Sequence, residues 1–289
     1  MVALGAPLGA RPLLESQLQH LKQNRYVVVP DWITIDQTNR LKRDALTLDS
    51  LHGWDCHIGS NEKIQLDTSY RRSRQCNIYP PPSNAAGSVS TRAGMIAAVN
   101  ALRNELQHSD LALPHLAPFE TELNYLCYPS GGHYDRHLDQ PYSNAGWVRC
   151  GRRASDGGSF GGQHTRRVIS FILYLNRDWD AADGGCLRLF PPHERGYGSA
   201  DSQLAAHTED VLPEGGTLVL LMSGDVEHQV RETRIGRQCV VGWFRELEST
   251  RVPDLDSLSL RTLRLLDREK TLGSCAELID SGGGEAMLR

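Results

Sequence analysis

Apolar residues recur first at helical and then at strand spacing along the chain. Leu14, Leu18 and Leu21 predict a helix leading into a short β-branched strand, Tyr26-Val27-Val28-Val29, which Pro30 stops. Thr34 can cap a second helix with Leu41, Ala45 and Leu48 on one face. Thr91 can cap a third, with Met95, Ile96, Val99, Leu102 and Leu106. Residues 50–90 are polar and irregular and end in Pro80-Pro81-Pro82, so they read as loops with one strand at most. After Pro118 the texture changes. Segments rich in Val, Leu, Ile and Tyr stand at 122–128, 167–175, 185–190, 209–212, 217–221, 226–230 and 237–244, separated by Gly-Gly, Asp-Gly-Gly, Pro-Pro and Ser-Gly-Asp turns. Many short strands with such punctuation suit an antiparallel barrel or sandwich rather than alternating β-α-β units. The expected fold is α+β: a double-stranded β-helix (jelly-roll) core with the N-terminal helices packed on one face. The expected organisation is a leader at 1–12, a helical and loop support region at 13–118, the core at 119–248, and a C-terminal helix (Leu258 to Leu266) with a tail at 249–289. The stretch 143–165, rich in Gly, Ser and Arg, reads as a long loop.

Composition narrows the classes. Hydrophobic residues at 39% and charged residues at 23% suit an ordinary globular chain. The net charge of -4 lacks the global basic footprint of a nucleic-acid binder, so no nucleic-acid partner is expected. No apolar run approaches the roughly 18 residues that cross a bilayer, and no membrane partner is expected. Gly, Pro and Arg interrupt the first residues before a secretory h-region forms. The seven cysteines are odd in number, scattered and without a Cys-x-x-Cys pair, which points to reduced thiols in the cytoplasm or nucleus.

The candidate chemistry lies in Tyr128-Pro-Ser-Gly-Gly-His133-Tyr134-Asp135-Arg136-His137-Leu138-Asp139. Residues i and i+2 of an extended segment point the same way, so His137 and Asp139 can face one interior together. His133 and Asp135 form a second His-x-Asp pair of the same parity, and spacing alone does not separate the two. A third ligand is available from His228, on the short strand segment Val226–Val230 after a Ser-Gly-Asp turn. Two histidines and one carboxylate on one face of an octahedral ion leave positions open, an arrangement that favours non-haem iron(II) binding a bidentate cosubstrate and dioxygen. Arg237 stands nine residues beyond His228, at the start of the last strand. If the two strands are neighbours, its guanidinium can enter the same cavity. A buried guanidinium needs a partner, and a dicarboxylate supplies one through a bidentate contact.

Three blocks resemble the oxygen-sensing prolyl hydroxylases of the hypoxia pathway. They are Tyr-x-x-Gly-x-x-Tyr-x-x-His-x-Asp at 128–139, the run Tyr174-Leu-Asn-Arg-Asp-Trp-Asp-Ala-Ala-Asp-Gly-Gly-Cys-Leu-Arg-Leu-Phe-Pro, and His228 with Arg237 leading to Trp243-Phe244. The resemblance covers roughly 120–246. It implies an iron(II)- and 2-oxoglutarate-dependent dioxygenase that acts on a prolyl residue in a protein or peptide, uses O2, and has ascorbate as auxiliary reductant. It favours His137 and Asp139 as ligands, because Tyr134 fills the position three before the ligand histidine, where His133 has Ser130. It further implies that Tyr174 donates to the far carboxylate of 2-oxoglutarate beside Arg237. Tyr128 would line the cosubstrate pocket, with Ile172 and Trp243 as apolar walls. The loop 143–165 is longer than in that family, residues 50–90 match poorly, Met222-Ser-Gly-Asp-Val-Glu differs from the family's form, and the family's zinc-finger module is absent. The alternatives are a 2-oxoglutarate oxygenase of a free amino acid or small metabolite, a non-catalytic metal-binding jelly roll, and a zinc hydrolase, which would have no need of Arg237. The arginines in and beside the 143–165 stretch, Arg166 and Arg167 among them, could attract an acidic peptide.

Overall fold

A computed structural model of the chain describes residues 8–57, 65–79, 86–117, 122–140, 143–149, 164–192 and 208–248. Helix α1 (Glu15–Asn24) leads into β1 (Tyr26–Val29), and α2 (Ile35–His52) follows. Thr34 caps α2 as its spacing predicts: its hydroxyl accepts the Gln37 N–H, and the Gln37 side chain returns to the Thr34 N–H. Helix α3 (Val89–Gln107) starts before the expected Thr91. Ser88, three residues earlier, is its cap and accepts the Thr91 N–H.

The strands form two antiparallel sheets. The larger contains β1, β2 (Trp54–Asp55), β4 (Arg74–Tyr79), β5 (Glu122–Tyr128), β7 (Val148–Arg149), β8 (His164–Tyr174), β11 (Leu218–Met222) and β13 (Arg237–Leu247). Its order is β1-β11-β8-β13-β5-β4-β2, with β7 paired to β8. The smaller runs β10-β9-β12-β6-β3 and contains β3 (Arg71–Arg72), β6 (His133–His137), β9 (Leu187–Phe190), β10 (Glu209–Val211) and β12 (Glu227–Val230). Residues 50–90 thus carry three strands where the sequence suggested one at most. Each pairs with a partner far along the chain or across a loop, and such pairing leaves little trace in local composition.

Alternation along the strands divides the core in two. Leu123, Tyr125, Ile169, Phe171, Leu173, Leu218, Leu220, Val240 and Phe244 face the helices, where they meet Leu41, Ala45, Leu48, Met95, Val99, Leu102 and Leu106. Burying each large aliphatic side chain contributes ~1.5–3 kcal/mol. The opposite set, Leu126, Tyr128, Ile172, Tyr174, Val219, Leu221, Cys239 and Val241, packs with Leu187, Leu189 and Val230 of the smaller sheet and with Val226 just before β12. The result is a jelly roll with helices on the outer face of its larger sheet. A buried network ties helices to sheet: Arg92 donates to Asp44 at 2.8 Å and the Tyr125 hydroxyl to the same carboxylate at 2.9 Å.

Cys56, Cys76, Cys127, Cys186 and Cys239 are free thiols, while Cys150 and Cys275 fall outside the described residues. No described helix is long and apolar enough to cross a membrane. The expected C-terminal helix and tail fall outside the described residues, as do the leader up to residue 7 and most of 143–165.

Candidate metal centre and diacid pocket

Two local irregularities build the centre. β12 and β6 pair directly at His228 and His137, but their next recorded pair is Val230 with Tyr134, so β6 spends one extra residue there. This bulge breaks simple alternation. It brings Tyr134 and His137 to the same face, where their rings stack 3.6 Å apart. His133, whose parity with His137 made it a rival, has its Nδ1 3.2 Å from the Gly131 carbonyl and its Nε2 3.0 Å from that of Ser69.

His137, Asp139 and His228 converge. Their ligand atoms lie within 4.8 Å of one another, and they are the three-member group of possible ligands among the described residues. His137 Nε2 is 3.6 Å from Asp139 Oδ1, and His228 Nε2 is 3.7 Å from Asp139 Oδ2. Those separations admit one ion bonded to each atom at about 2.0–2.2 Å. The other imidazole nitrogens turn away, His137 Nδ1 to the Asp135 carbonyl at 2.7 Å and His228 Nδ1 to that of Val226 at 3.3 Å. Such contacts fix the tautomer that presents a bare Nε2 to a metal. Burial, with His137 beside it, lowers the His228 imidazole to about 4, which keeps it neutral at physiological pH. Burial opposes ionisation of Asp139, yet His228, His137 and Arg167 hold its carboxyl well below the usual carboxylate range.

A pH dependence follows. The unfolded His228 binds a proton near pH 6.5 and the folded one only near 4. Between these values the unfolded state carries more protons, so the stability of metal-free protein falls as pH is lowered through that window. Urea midpoints from pH 7.5 to 5 should decline, and less steeply in His228→Gln. Equal slopes in the two proteins would contradict the assignment.

A cavity of about 240 Å³ opens between the sheets beside the three residues. Its walls include Tyr128, Ile172, Trp243, Tyr134, Arg71 and Arg167. Arg237 lies behind Tyr128, its cross-strand partner. Its guanidinium carbon sits 4.8 Å above the Tyr128 ring and 5.1 Å above that of Tyr174. Arg237 is 1% exposed, and its Nε and Nη2 have no hydrogen-bond partner; the buried Tyr174 hydroxyl has none either. Nη1 reaches only the Cys239 sulfur, at 3.6 Å. An unpaired buried guanidinium beside an unpaired buried hydroxyl is costly unless an anion completes the pair. A carboxylate has the charge and the acceptor atoms to satisfy both. The six sequence candidates therefore fall into two adjoining groups, the His-Asp-His cluster and the Arg237-Tyr174-Tyr128 cluster.

Arg167 has a different position from that expected. Rather than offering a surface charge, it lines the cavity, donates to the Asp139 carbonyl at 3.1 Å and to Glu122 at 2.8 Å, and lies over the Trp243 ring. A second bulge explains the turn inward: Phe244 and Arg245 of β13 pair with Ile169 and Arg167, so Val168 is the extra residue on β8. Arg71 had no sequence signal beyond its charge, since its place depends on pairing with β6.

Fold and site together are a jelly roll with a two-His, one-carboxylate cluster beside a buried guanidinium that lacks an anion, and residues 123–245 match the family model described as the 2OG-Fe(II) oxygenase superfamily. That stretch is similar to the superfamily's domain. Egl nine homolog 1 of Rattus norvegicus is 28% identical over 127 residues, which are 43% of this chain and 28% of the relative. The match thus spans less than a third of that curated protein. Among solved structures, a Pseudomonas putida prolyl-4-hydroxylase aligns with a TM-score of 0.55 and 24% identity, covering 81% of this chain and 99% of the other. A Trichoplax adhaerens prolyl hydroxylase, solved with a hypoxia inducible factor peptide fragment, aligns at 0.57 and 18% identity, covering 79% and 86%. These structural likenesses establish the fold.

Proposed function

We propose that the chain is an iron(II)- and 2-oxoglutarate-dependent dioxygenase that hydroxylates a prolyl residue of a protein or peptide. The supporting observation is the unpaired Arg237 guanidinium with the unpaired Tyr174 hydroxyl, next to a convergent His137, Asp139 and His228. A zinc hydrolase has no use for that second group. The relatives named as prolyl hydroxylases support the choice of proline.

In this reading the Nε2 atoms of His137 and His228 and the Asp139 carboxylate hold the iron. Arg237 and Tyr174 receive the far carboxylate of 2-oxoglutarate, and Tyr128 separates the two groups. Iron bound there supplies activation of dioxygen coupled to decarboxylation of 2-oxoglutarate to succinate. The chain's share is to orient the diacid, keep the His228 imidazole neutral and line the cavity with Ile172 and Trp243. Arg167 positions Asp139 through its carbonyl. Ascorbate as auxiliary reductant and a cytoplasmic or nuclear location belong to the same proposal.

Incubating the iron-loaded protein with 2-oxoglutarate and a proline-containing peptide library should add one oxygen to proline residues, read by tandem mass spectrometry. Oxygen found only on a free amino acid or small metabolite would favour the alternative substrate class.

A further inference from the structure

The cavity holds a cation that the reaction described above does not use. Arg71 lines it from β3, the edge strand beside β6. Its cross-strand partner is Tyr134, and its guanidinium carbon lies 4.4 Å over that ring. The same ring stacks on the ligand His137 at 3.6 Å, so Tyr134 is sandwiched between Arg71 and the metal centre. Arg71 Nε donates to Ser73 Oγ at 2.9 Å, but no carboxylate pairs with the guanidinium among the described residues. The neighbouring Arg72 is exposed.

The charges around the cavity do not balance without it. Two carboxylates line the walls, Glu122 and Asp139. Glu122 is taken by Arg167, at 2.8 Å, and also by Arg245. Asp139 is committed to the metal group. With Arg237 reserved for the far end of 2-oxoglutarate, Arg71 is left as an uncompensated cation facing the site where a substrate enters. A guanidinium held over an aromatic ring retains N–H groups that can meet a planar anion.

We propose that Arg71 determines specificity by receiving a carboxylate of the prime substrate, carried beside the carbon to be oxidised. That carboxylate belongs either to the end of the chain, as in a C-terminal proline, or to an acidic side chain next to the target. The inference rests on the oxygenase reading of the site and refines its substrate class.

The test uses full-length protein loaded with Mn(II), which replaces iron without turnover, and reads binding by calorimetry. Binding of 2-oxoglutarate by wild type, and its loss in Arg237→Gln, examines the oxygenase reading by itself. With 2-oxoglutarate saturating, two probe pairs are then added: acetyl-Ala-Pro as acid and as amide, and acetyl-Asp-Pro amide against acetyl-Asn-Pro amide. Wild type should prefer the charged member of one pair by about tenfold or more, as expected for one charge-assisted contact. The pair that shows the preference identifies the source of the carboxylate. Arg71→Gln should erase the preference, Arg71→Lys should keep part of it, and Arg72→Gln should keep all of it. The proposal is overturned if neither charged probe is preferred or bound, or if the preference survives in Arg71→Gln. It is also overturned if Arg71→Gln weakens 2-oxoglutarate itself by a comparable factor, because Arg71 would then serve the cosubstrate.

Discussion

His137→Ala is expected to abolish both tight iron(II) binding and formation of succinate from 2-oxoglutarate, while His133→Ala leaves most of each. Both histidines lie on β6 with even spacing between them, so the contrast tests the bulge as much as the ligand. The bulge aligns His137 with His228 as direct cross-strand neighbours, ring centroids 4.3 Å apart, while both His133 nitrogens lie near backbone carbonyls. Removing one of three protein ligands leaves two, too few to hold a divalent ion against water. Equilibrium dialysis of iron(II) and a succinate assay on the two variants make the comparison. If His133→Ala is inactive and His137→Ala active, the ligand set is wrong.

Arg237→Ala should raise the 2-oxoglutarate requirement about a hundredfold or more. Breaking one side of a buried charge pair costs roughly 3–5 kcal/mol, and each 1.4 kcal/mol is about tenfold in affinity. The same substitution has an unusual second consequence. In the protein without cosubstrate, Arg237 is a buried charge with two unpaired nitrogens. Losing it should therefore leave the stability of the free protein unchanged or raised, apart from the packing of its stem against Tyr128 and Tyr174. A purely structural arginine would give the reverse pattern, a large loss of stability with cosubstrate affinity intact. Denaturant midpoints with and without 2-oxoglutarate separate these outcomes.

The two-sheet core could be read from the chain because its strands alternate cleanly. Ile169, Phe171 and Leu173 turn to the helices, whereas Ile172 and Tyr174 turn to the smaller sheet. The Thr34 cap was legible for a similar reason, since its partner Gln37 is three residues away. What the sequence hid lies where alternation fails. Period-two reasoning puts His133 and His137 on one face, and an extra residue in β6 undoes it. It also puts Arg167 on the face opposite Ile172, and the extra Val168 turns it into the cavity. Resemblance to a family favours His137 without a physical reason; the bulge supplies one for its place beside Asp139 and His228. Arg71 and the strands around it leave little local signal because their pairing is with distant segments. The Asp-Gly-Gly turn at 183–185 was read as a turn, and the geometry explains its second position. Gly184 has φ +72°, and a Cβ there would meet the Glu232 carbonyl at 2.4 Å.

Consumption of 2-oxoglutarate by the purified protein is the most direct test of one ion held by His137, Asp139 and His228 with a diacid gripped behind it. Metal-free protein would be supplied with iron(II) or zinc, with and without dioxygen, and succinate measured. Slow succinate formation is expected with iron(II) and dioxygen together, even before a substrate is added, and none with zinc or without dioxygen. A protein that binds one iron(II) per chain at these residues yet leaves 2-oxoglutarate intact under every condition, candidate substrates included, would contradict it.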